Sequence, residues 1–198
     1  VVVSASTSDT QNPRAVYNAA RNEYVVVWQD FRNARWDVYA QRLGATGGPL
    51  GGNLAIATAT GNKGRCDVAS DPTTGAYLVV WDDTRAGNDD VYAQRLDGNG
   101  SLSGSNFAVA ATTAAEVAPV TGFDPASKRF LVAWWEYRGT NDYDVYAQFL
   151  PGSGATDQAS FAVSTAAETQ SQVDVVKNAP GGPLLVLWQD FRAGSYDV

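Results

Sequence analysis

Residues 81–96 read WDDTRAGNDDVYAQRL, and related versions of this stretch recur along the chain. The other copies read WQDFRNARWDVYAQRL from Trp28, WWEYRGTNDYDVYAQFL from Trp134 and WQDFRAGSYDV from Trp188. Successive copies begin 53, 53 and 54 residues apart. A period of about 50 residues is typical of a solenoid, a propeller or a repeat array. Since the four copies fill the chain, the repeat itself is the fold.

Each copy contains short segments with the composition of β-strands. Copy one has PRAVYNAA, YVVVW, DVYAQRL and NLAIAT, and Gly, Asn, Asp or Pro stand at the breaks. No segment has a helical period, so the sequence predicts an all-β chain. The second segment is apolar on both faces, with Tyr24, Val26 and Trp28 on one face and Val25 and Val27 on the other. This pattern indicates a sheet stacked between two others, as in a β-propeller of four-stranded blades.

The repeat boundaries predict one β-propeller domain over residues 1–198. Residues 1–7 align with a fourth strand, so we expect four blades in which this N-terminal strand closes the last blade. The alternative is a fragment of a larger propeller, because the third segment of the last copy is cut to DV. The copies run approximately over residues 8–58, 59–111, 112–165, and 166–198 plus 1–7.

Composition and charge exclude several classes of protein. The net charge is −7, with 14 basic and 21 acidic residues, so no basic surface for nucleic acid or an anionic membrane is expected. No apolar run approaches the roughly 18 residues of a membrane-spanning helix. Methionine is absent, which suggests a processed or excised segment. The single Cys66 excludes an internal disulfide framework, and we expect it to be a small buried residue.

The repeated pattern, VW-x-D-x-R followed by DVYAQRLD-x-x-G and F-x-V, resembles the tandem propeller-type repeats of large secreted and cell-surface bacterial proteins. The resemblance covers nearly the whole chain. It implies a β-propeller, an extracellular location and a role in binding or adhesion, but no defined ligand and no catalytic residue. The turn LDGNGSLSG at Leu96–Gly104 is also similar to the Asp-box turns of sialidase-type propellers, although the serine, threonine and tryptophan of the full pattern are missing.

Charged residues recur at fixed positions in every copy. An acidic residue lies two positions after the tryptophan, an arginine lies two further on, and an aspartate returns on the partner strand. Spacing of two places the side chains of the tryptophan, the acidic residue and the arginine on one face of the strand. The returning aspartate could also accept a hydrogen bond from the arginine. These groups could form a ring of charges at the mouth of a channel, but their presence in every copy favours a structural network. The network comprises Asp30, Arg32, Asp37, Asp83, Arg85, Asp90, Glu136, Arg138, Asp144, Asp190, Arg192 and Asp197.

Positions that vary between copies are better candidates for ligand binding. Three copies have an aromatic pair on the loop between the second and third strands, where copy two has Thr84 and Asp89. Aromatic rings beside carboxylates and amides suit carbohydrate, because sugar C–H faces pack on rings. The alternative is a cross-strand pair that only stabilises the hairpin. The predicted ligand-binding residues are Phe31, Trp36, Trp135, Tyr137, Tyr143, Phe191 and Tyr196.

A Ca²⁺ site has weak support. Asp97, Asn99 and Ser101 have the spacing of a calcium loop, but Ala108 stands where the bidentate glutamate would be needed. A Gly-rich hairpin turn is therefore favoured.

A cation in a central channel is a second weak alternative. Backbone carbonyls could hold it, or Asp67 and Asp174, which share one repeat position. The other copies have Arg14 and Val120 there, which weakens this alternative. We expect no cofactor.

Catalysis is not favoured by the residue types present. The chain has no histidine, which excludes a Ser-His or Cys-His nucleophile and a His-ligated zinc. Glycoside hydrolysis needs only two carboxylates, but an arginine matches each acidic position and would lower its pKa. We therefore predict a non-catalytic extracellular binding or adhesion module whose partner is a glycan or a surface protein. The alternatives are a structural or self-associating repeat domain of a surface protein and, least favoured, a sialidase-like glycosidase.

Overall fold

The computed structural model describes residues 2–4, 6–139, 142–153, 156–176 and 183–198, and the side chain of Arg138 lies outside the described part. The described residues form 14 strands in four sheets and no helix, so the prediction of an all-β chain is confirmed. Consequently, no helix in these ranges is long and apolar enough to cross a membrane. The strands are β1 (Thr10–Asn18), β2 (Glu23–Asp30), β3 (Asp37–Gly44), β4 (Pro49–Ala57), β5 (Lys63–Ser70), β6 (Tyr77–Asp83), β7 (Asp90–Leu96), β8 (Leu102–Ala110), β9 (Glu116–Asp124), β10 (Arg129–Gly139), β11 (Asp142–Pro151), β12 (Phe161–Ser164), β13 (Gln170–Val176) and β14 (Leu185–Asp190).

Each sheet is an antiparallel meander in chain order. Sheets one, two and three contain β1–β4, β5–β8 and β9–β12, and sheet four contains β13 and β14. The short last copy adds only an isolated bridge between Asp190 and Asp197. Neighbouring strands pair in sequence because tight turns join them, as at Gly47, whose φ of 85° suits glycine.

The expected closure of the last blade by residues 1–7 is not observed. Residues 2–4 and 6–9 form no strand, and the four sheets are not closed. The carbonyl oxygen of Val3 instead accepts a hydrogen bond from Asn53 Nδ2 at 3.1 Å. Val3 therefore lies against β4, the outer strand of sheet one, and not beside the last copy.

Apolar cores lie between successive sheets and explain why the second strands are apolar on both faces. All seven residues of β6 are buried. Val79 and Trp81 pack in the core shared with sheet one. Leu78 and Val80 pack in the core shared with sheet three. Each such side chain contributes about 1.5–3 kcal/mol when fully buried. A third core, which includes Leu131, joins sheets three and four.

The first strands of the four sheets line one cavity of about 580 Å³. Each of these strands has a bulge, where its pairing with the second strand shifts register. Asn12, Ala118 and Gln172 occupy the bulges of β1, β9 and β13 with φ of 51°, a left-handed conformation that is uncommon outside glycine. Ala118 and Gln172 also line the cavity, so the bulges of β9 and β13 form part of its wall.

Candidate functional site

The loop between the second and third strands has the same tight turn in three copies. In copy one, the backbone N–H of Ala34 donates to the carbonyl oxygen of Phe31 at 3.0 Å. Gly87 and Gly194 close the equivalent turns of copies two and four. The φ values of these three residues are 56°, 112° and 78°, so each turn ends in a left-handed residue. The local geometry is thus set by the repeat and not by one copy.

The predicted aromatic pairs are in contact in copies one, three and four. The ring centroids of Phe31 and Trp36 lie 5.1 Å apart at an interplanar angle of 58°. Tyr137 and Tyr143 lie 5.0 Å apart at 52°. These distances and tilts are typical of favourable aromatic pairs. The same tilted arrangement joins Phe191 and Tyr196, at 4.9 Å and 53°.

These loops, residues 31–36, 137–143 and 191–196, are named the aromatic loops, and their rings remain accessible. The exposed fractions of Phe31 and Tyr137 are both 37%, and that of Tyr196 is 59%. Trp135 packs on Tyr143 at 4.9 Å and also lines the 580 Å³ cavity, so it connects one aromatic loop to that space. Residues 140 and 141 lie outside the described residues.

Backbone hydrogen bonds from two directions hold the aromatic loop of copy one. On the side of sheet one, the N–H of Phe31 donates to the carbonyl oxygen of Asp9, the residue before β1, at 3.0 Å. From sheet two, the N–H of Lys63 donates to the carbonyl oxygen of Trp36 at 2.8 Å. Asn62 Oδ1 accepts from the Trp36 N–H at 3.1 Å. The ring pair is therefore positioned before any ligand arrives.

A stack of four side chains supports the aromatic loop of copy one: Trp28, Asp30, Arg32 and Tyr39. In copy one, Asp30 accepts from Trp28 Nε1 at 3.0 Å and from both Nε and Nη2 of Arg32 at 2.9 and 2.6 Å. The Arg32 guanidinium lies 4.0 Å above the ring of Tyr39. Burial opposes the ionisation of Asp30, but the hydrogen bonds from Arg32 and Trp28 outweigh it and lower the pKa of Asp30 to about 2. A carboxylate that stays ionised and accepts hydrogen bonds on both oxygens stabilises the hairpin and is a poor proton donor.

The stack recurs in copy two and in part in copy four. Asp83 accepts from Trp81 Nε1 at 2.9 Å and from Arg85, whose guanidinium lies 4.0 Å above Tyr92. In copy four, Asp190 binds Arg192, whose side chain lowers the Asp190 pKa to about 2.

Copy three differs from this arrangement. Its acidic residue is Glu136, and Trp134 Nε1 has no hydrogen-bond partner among the described residues. Glu136 and Asp144 have partners of their own, and the Arg138 side chain is outside the described part.

In copies one, two and four, the described side chains form no hydrogen bond or ion pair between the returning aspartate and this arginine. Asp37 accepts instead from Asn33 Nδ2 at 2.7 Å and Arg35 Nε at 3.0 Å. Neither carboxylate oxygen of Asp90 has a hydrogen-bond partner in the described ranges, and Asp197 is exposed. The arginine instead binds the acidic residue two positions earlier, and in copies one and two the facing tyrosine ring fixes the plane of the guanidinium.

Two buried charged residues that were not predicted from the sequence face these acidic positions. Lys63 faces Asp83 across β5 and β6, and Glu116 faces Glu136 across β9 and β10. Burial, opposed by hydrogen bonds from Thr112 and reinforced by the charge of Glu136, raises the pKa of Glu116. Both residues occupy one repeat position, where the other copies have uncharged residues. This change of charge within a repeat was the available signal.

Copy two also carries a buried carboxylate where copy one has Gln29. Asp82 is 8% exposed, and its Oδ1 accepts from the backbone N–H of Ala118 at 3.2 Å. Burial and then the charge of Asp89 raise the pKa of Asp82 to about 7. The loop of copy two is thus acidic where the others are aromatic.

The weak calcium candidate is an internally bonded turn. Asp97 Oδ1 accepts from the backbone N–H groups of Asn99 and Ser101 at 2.8 and 2.9 Å. Asn99 Oδ1 accepts from Arg21 Nη2 at 3.2 Å. Throughout the described residues, no three or more His, Cys, Asp or Glu side chains group as metal ligands.

The two aspartates considered for a channel cation lie among both acidic and basic side chains. Asp67 and Asp174 line the 580 Å³ cavity together with Arg14 and Arg65. Asp67 Oδ2 accepts from the backbone N–H of Thr121 at 2.9 Å. Cys66, also in this lining, is a buried free thiol, and burial raises its pKa.

Neither a family model nor a curated protein matches the chain. Among solved structures, the chain is similar to an N-acetylgalactosamine deacetylase from F. plautii, solved in complex with blood group B trisaccharide. The TM-score is 0.62 at 10% sequence identity, and the match covers 94% of this chain. The chain spans 64% of the length of that structure. At this identity the likeness concerns the fold alone: the chain shares the fold of a β-rich part of a carbohydrate-active enzyme.

Proposed function

We propose that this chain is an extracellular carbohydrate-binding module with the blade arrangement of a β-propeller, and that the aromatic loops bind the sugar. The observation that carries the proposal is the tilted, accessible aromatic pair that recurs in copies one, three and four. Sugar C–H faces pack on such rings. The similar structure contains a bound trisaccharide, which supports the same class of ligand.

Polar groups around the aromatic loop of copy one suit sugar hydroxyls. Asn33 is exposed and Arg35 is half-exposed, and both lie in the loop between Phe31 and Trp36. The Arg35 side chain is fixed by Asp37 Oδ1 at 3.0 Å and by the carbonyl oxygen of Thr58. A few fixed donors beside an apolar platform are the usual composition of a small-ligand site. Because this loop is held from two sheets, binding costs little ordering entropy.

Replacing Trp36 or Tyr143 with alanine is expected to weaken glycan binding about tenfold each, the effect of losing about 1.4 kcal/mol. The first measurement is a glycan array, followed by titration calorimetry with blood group B trisaccharide and with the strongest array hit. Asp89→Ala is the matched control, because Asp89 holds in copy two the repeat position of Trp36 and Tyr143 without an aromatic ring. Its binding should equal that of the unmodified chain.

Two outcomes would contradict the binding proposal. One is no glycan signal, or an equal loss of binding in Asp89→Ala, Trp36→Ala and Tyr143→Ala while all three remain folded. The other is turnover of an aryl glycoside that disappears on Glu136→Gln. The chain would then be an enzyme, as is the deacetylase of similar structure.

A structural or self-associating role is the second candidate, and one observation favours it. Tyr77, Val79 and Trp81 of sheet two are covered by sheet one, whereas Tyr24 on the corresponding outward face of sheet one is 39% exposed. Tyr17, its ring 5.0 Å from that of Tyr24, is 45% exposed. Exposed adjoining rings on a sheet face are suited to contact with another sheet. This candidate expects oligomers that grow with concentration in light scattering, and no glycan signal.

A further inference from the structure

Arg42 and Arg95 occupy the same repeat position, at the ends of the sheets opposite the aromatic loops. In copy one, Arg42 is neutralised by Glu23. Its Nε donates to Glu23 Oε1 at 3.0 Å and its Nη2 to Glu23 Oε2 at 2.6 Å. This bidentate geometry is the preferred one between a guanidinium and a carboxylate. Glu23 also accepts from the Tyr77 hydroxyl at 2.7 Å, so it connects sheets one and two.

Arg95 in copy two has no such partner, because Ala76 stands at the position of Glu23. Arg95 is only 7% exposed, and its buried Nε has no hydrogen-bond partner among the described residues. Its Nη2 donates to the carbonyl oxygen of Pro151 at 3.0 Å, and its guanidinium lies 4.4 Å above the ring of Phe107. The described residues place no carboxylate in an ion pair with it. A buried cation without a counter-charge is costly, so its persistence calls for an explanation.

Arg95 lines a pocket of about 420 Å³ between sheets two and three. Hydroxyl groups complete the polar part of its wall, and hydroxyls can donate to an anionic oxygen. The volume is that of a small-ligand site. The polar wall consists of Arg95, Ser103, Ser105, Ser153 and Thr156.

The corresponding pocket between sheets one and two shows the opposite combination. It measures about 460 Å³ and contains the neutralised Arg42. Leu50 and Gly52 line it at the repeat positions of Ser103 and Ser105. Copy three replaces the arginine altogether, with Phe149. Ser101 is the one hydroxyl side chain among the described residues that line the Arg42 pocket, so the wall with four hydroxyl groups occurs in copy two, where the arginine is present without its glutamate.

We propose that the pocket around Arg95 binds the carboxylate group of a small ligand, which supplies the counter-charge that Glu23 supplies to Arg42. The free Nε supplies one donor of the bidentate pair, and the serine hydroxyls supply further donors to the second oxygen. Phe107, stacked on the guanidinium, fixes the direction of the donors. The site is separate from the aromatic loops, so its test does not depend on the proposed sugar binding there.

The experiment titrates the intact chain with sodium glucuronate, sodium acetate and glucose by calorimetry and NMR at constant ionic strength. Glucuronate is expected to bind and glucose is not. The decisive variant is Ala76→Glu, which supplies the missing internal carboxylate. It should weaken glucuronate binding at least tenfold and raise the midpoint of thermal unfolding in the absence of ligand. Arg95→Phe, which introduces the copy-three residue type, should remove binding without adding a carboxylate.

The titrations with glucuronate and acetate also distinguish the source of the carboxylate. Binding of glucuronate alone supports an acidic sugar, whereas equal binding of acetate supports any small carboxylate. Thr84→Ala, at the far ends of the strands, should bind as the unmodified chain does. The proposal is overturned if neither carboxylate binds, if glucose binds as well as glucuronate, or if Arg95→Phe retains full affinity.

Discussion

Replacing Lys63 with methionine is expected to lower the free energy of unfolding by about 3–5 kcal/mol, the usual cost of breaking a buried ion pair. The Lys63 side chain is fully buried. Its Nζ donates to the carbonyl oxygens of Ala59, Thr60 and Gly61 at 2.8, 3.0 and 2.7 Å, and lies 3.7 Å from Asp83 Oδ1. Methionine fills the space but leaves three carbonyls and a buried carboxylate without this donor. Loss of these hydrogen bonds and of the ion pair should weaken the link between sheets one and two.

Denaturant unfolding at pH 7, followed by tryptophan fluorescence, measures this loss. Lys63→Gln keeps a hydrogen-bond donor and matches Gln170 at the same position of copy four, so about half of the loss is expected. Lys128→Met is the control for removal of an exposed lysine and should change stability by less than about 0.5 kcal/mol. If Lys63→Met is no more destabilising than Lys128→Met, Lys63 does not hold the link.

The repeat could be predicted from the sequence because its determinants are local. Alternation of side chains assigns Val79 and Trp81 to one face of β6 and Leu78 and Val80 to the other, and the structure buries all four. The pairs on the aromatic loops follow equally from turn length, since strands joined by one tight turn bring fixed positions together. Register within a hairpin is therefore readable from one copy.

Contacts between copies could not be predicted from the pattern within one copy. The partners of Lys63 come from the segment between two sheets, and the partner of Asp82 is a backbone N–H of the next sheet. Neither is fixed by strand alternation.

The choice of partner for Arg32 was also open. Asp30 and Asp37 face each other across the hairpin, so both carboxylates lie within its reach. Packing of the guanidinium on the Tyr39 ring decides between them. The N-terminal segment has the same uncertainty, since a strand-like sequence does not specify which edge it meets.

Replacing Asp82 with asparagine is expected to raise the free energy of unfolding by about 2–4 kcal/mol above pH 7, and to change it little near pH 4. Asp82 lies between sheets two and three, and a Cβ atom built on Gly64 would lie 1.5 Å from its Oδ2, so the carboxylate packs directly on the backbone. Burial, with the charge of Asp89 as the second cause, raises the pKa of Asp82 from 3.8 to about 7. Asparagine has nearly the same shape and retains an acceptor for the Ala118 N–H.

The sign follows from where the proton is bound. Between about pH 4 and pH 7 the unfolded chain has ionised Asp82 while the folded chain keeps its proton, so the stability present at pH 4 is lost as the pH rises toward 7. Urea unfolding of both chains from pH 4 to pH 8 measures the difference, which should grow over this range and then level off. Asp89→Asn, the matched control, removes only the neighbouring charge and should move the onset of the plateau to lower pH. Parallel pH profiles of the unmodified chain and Asp82→Asn would mean that the buried carboxylate titrates normally, and that polar groups between sheets two and three solvate its charge.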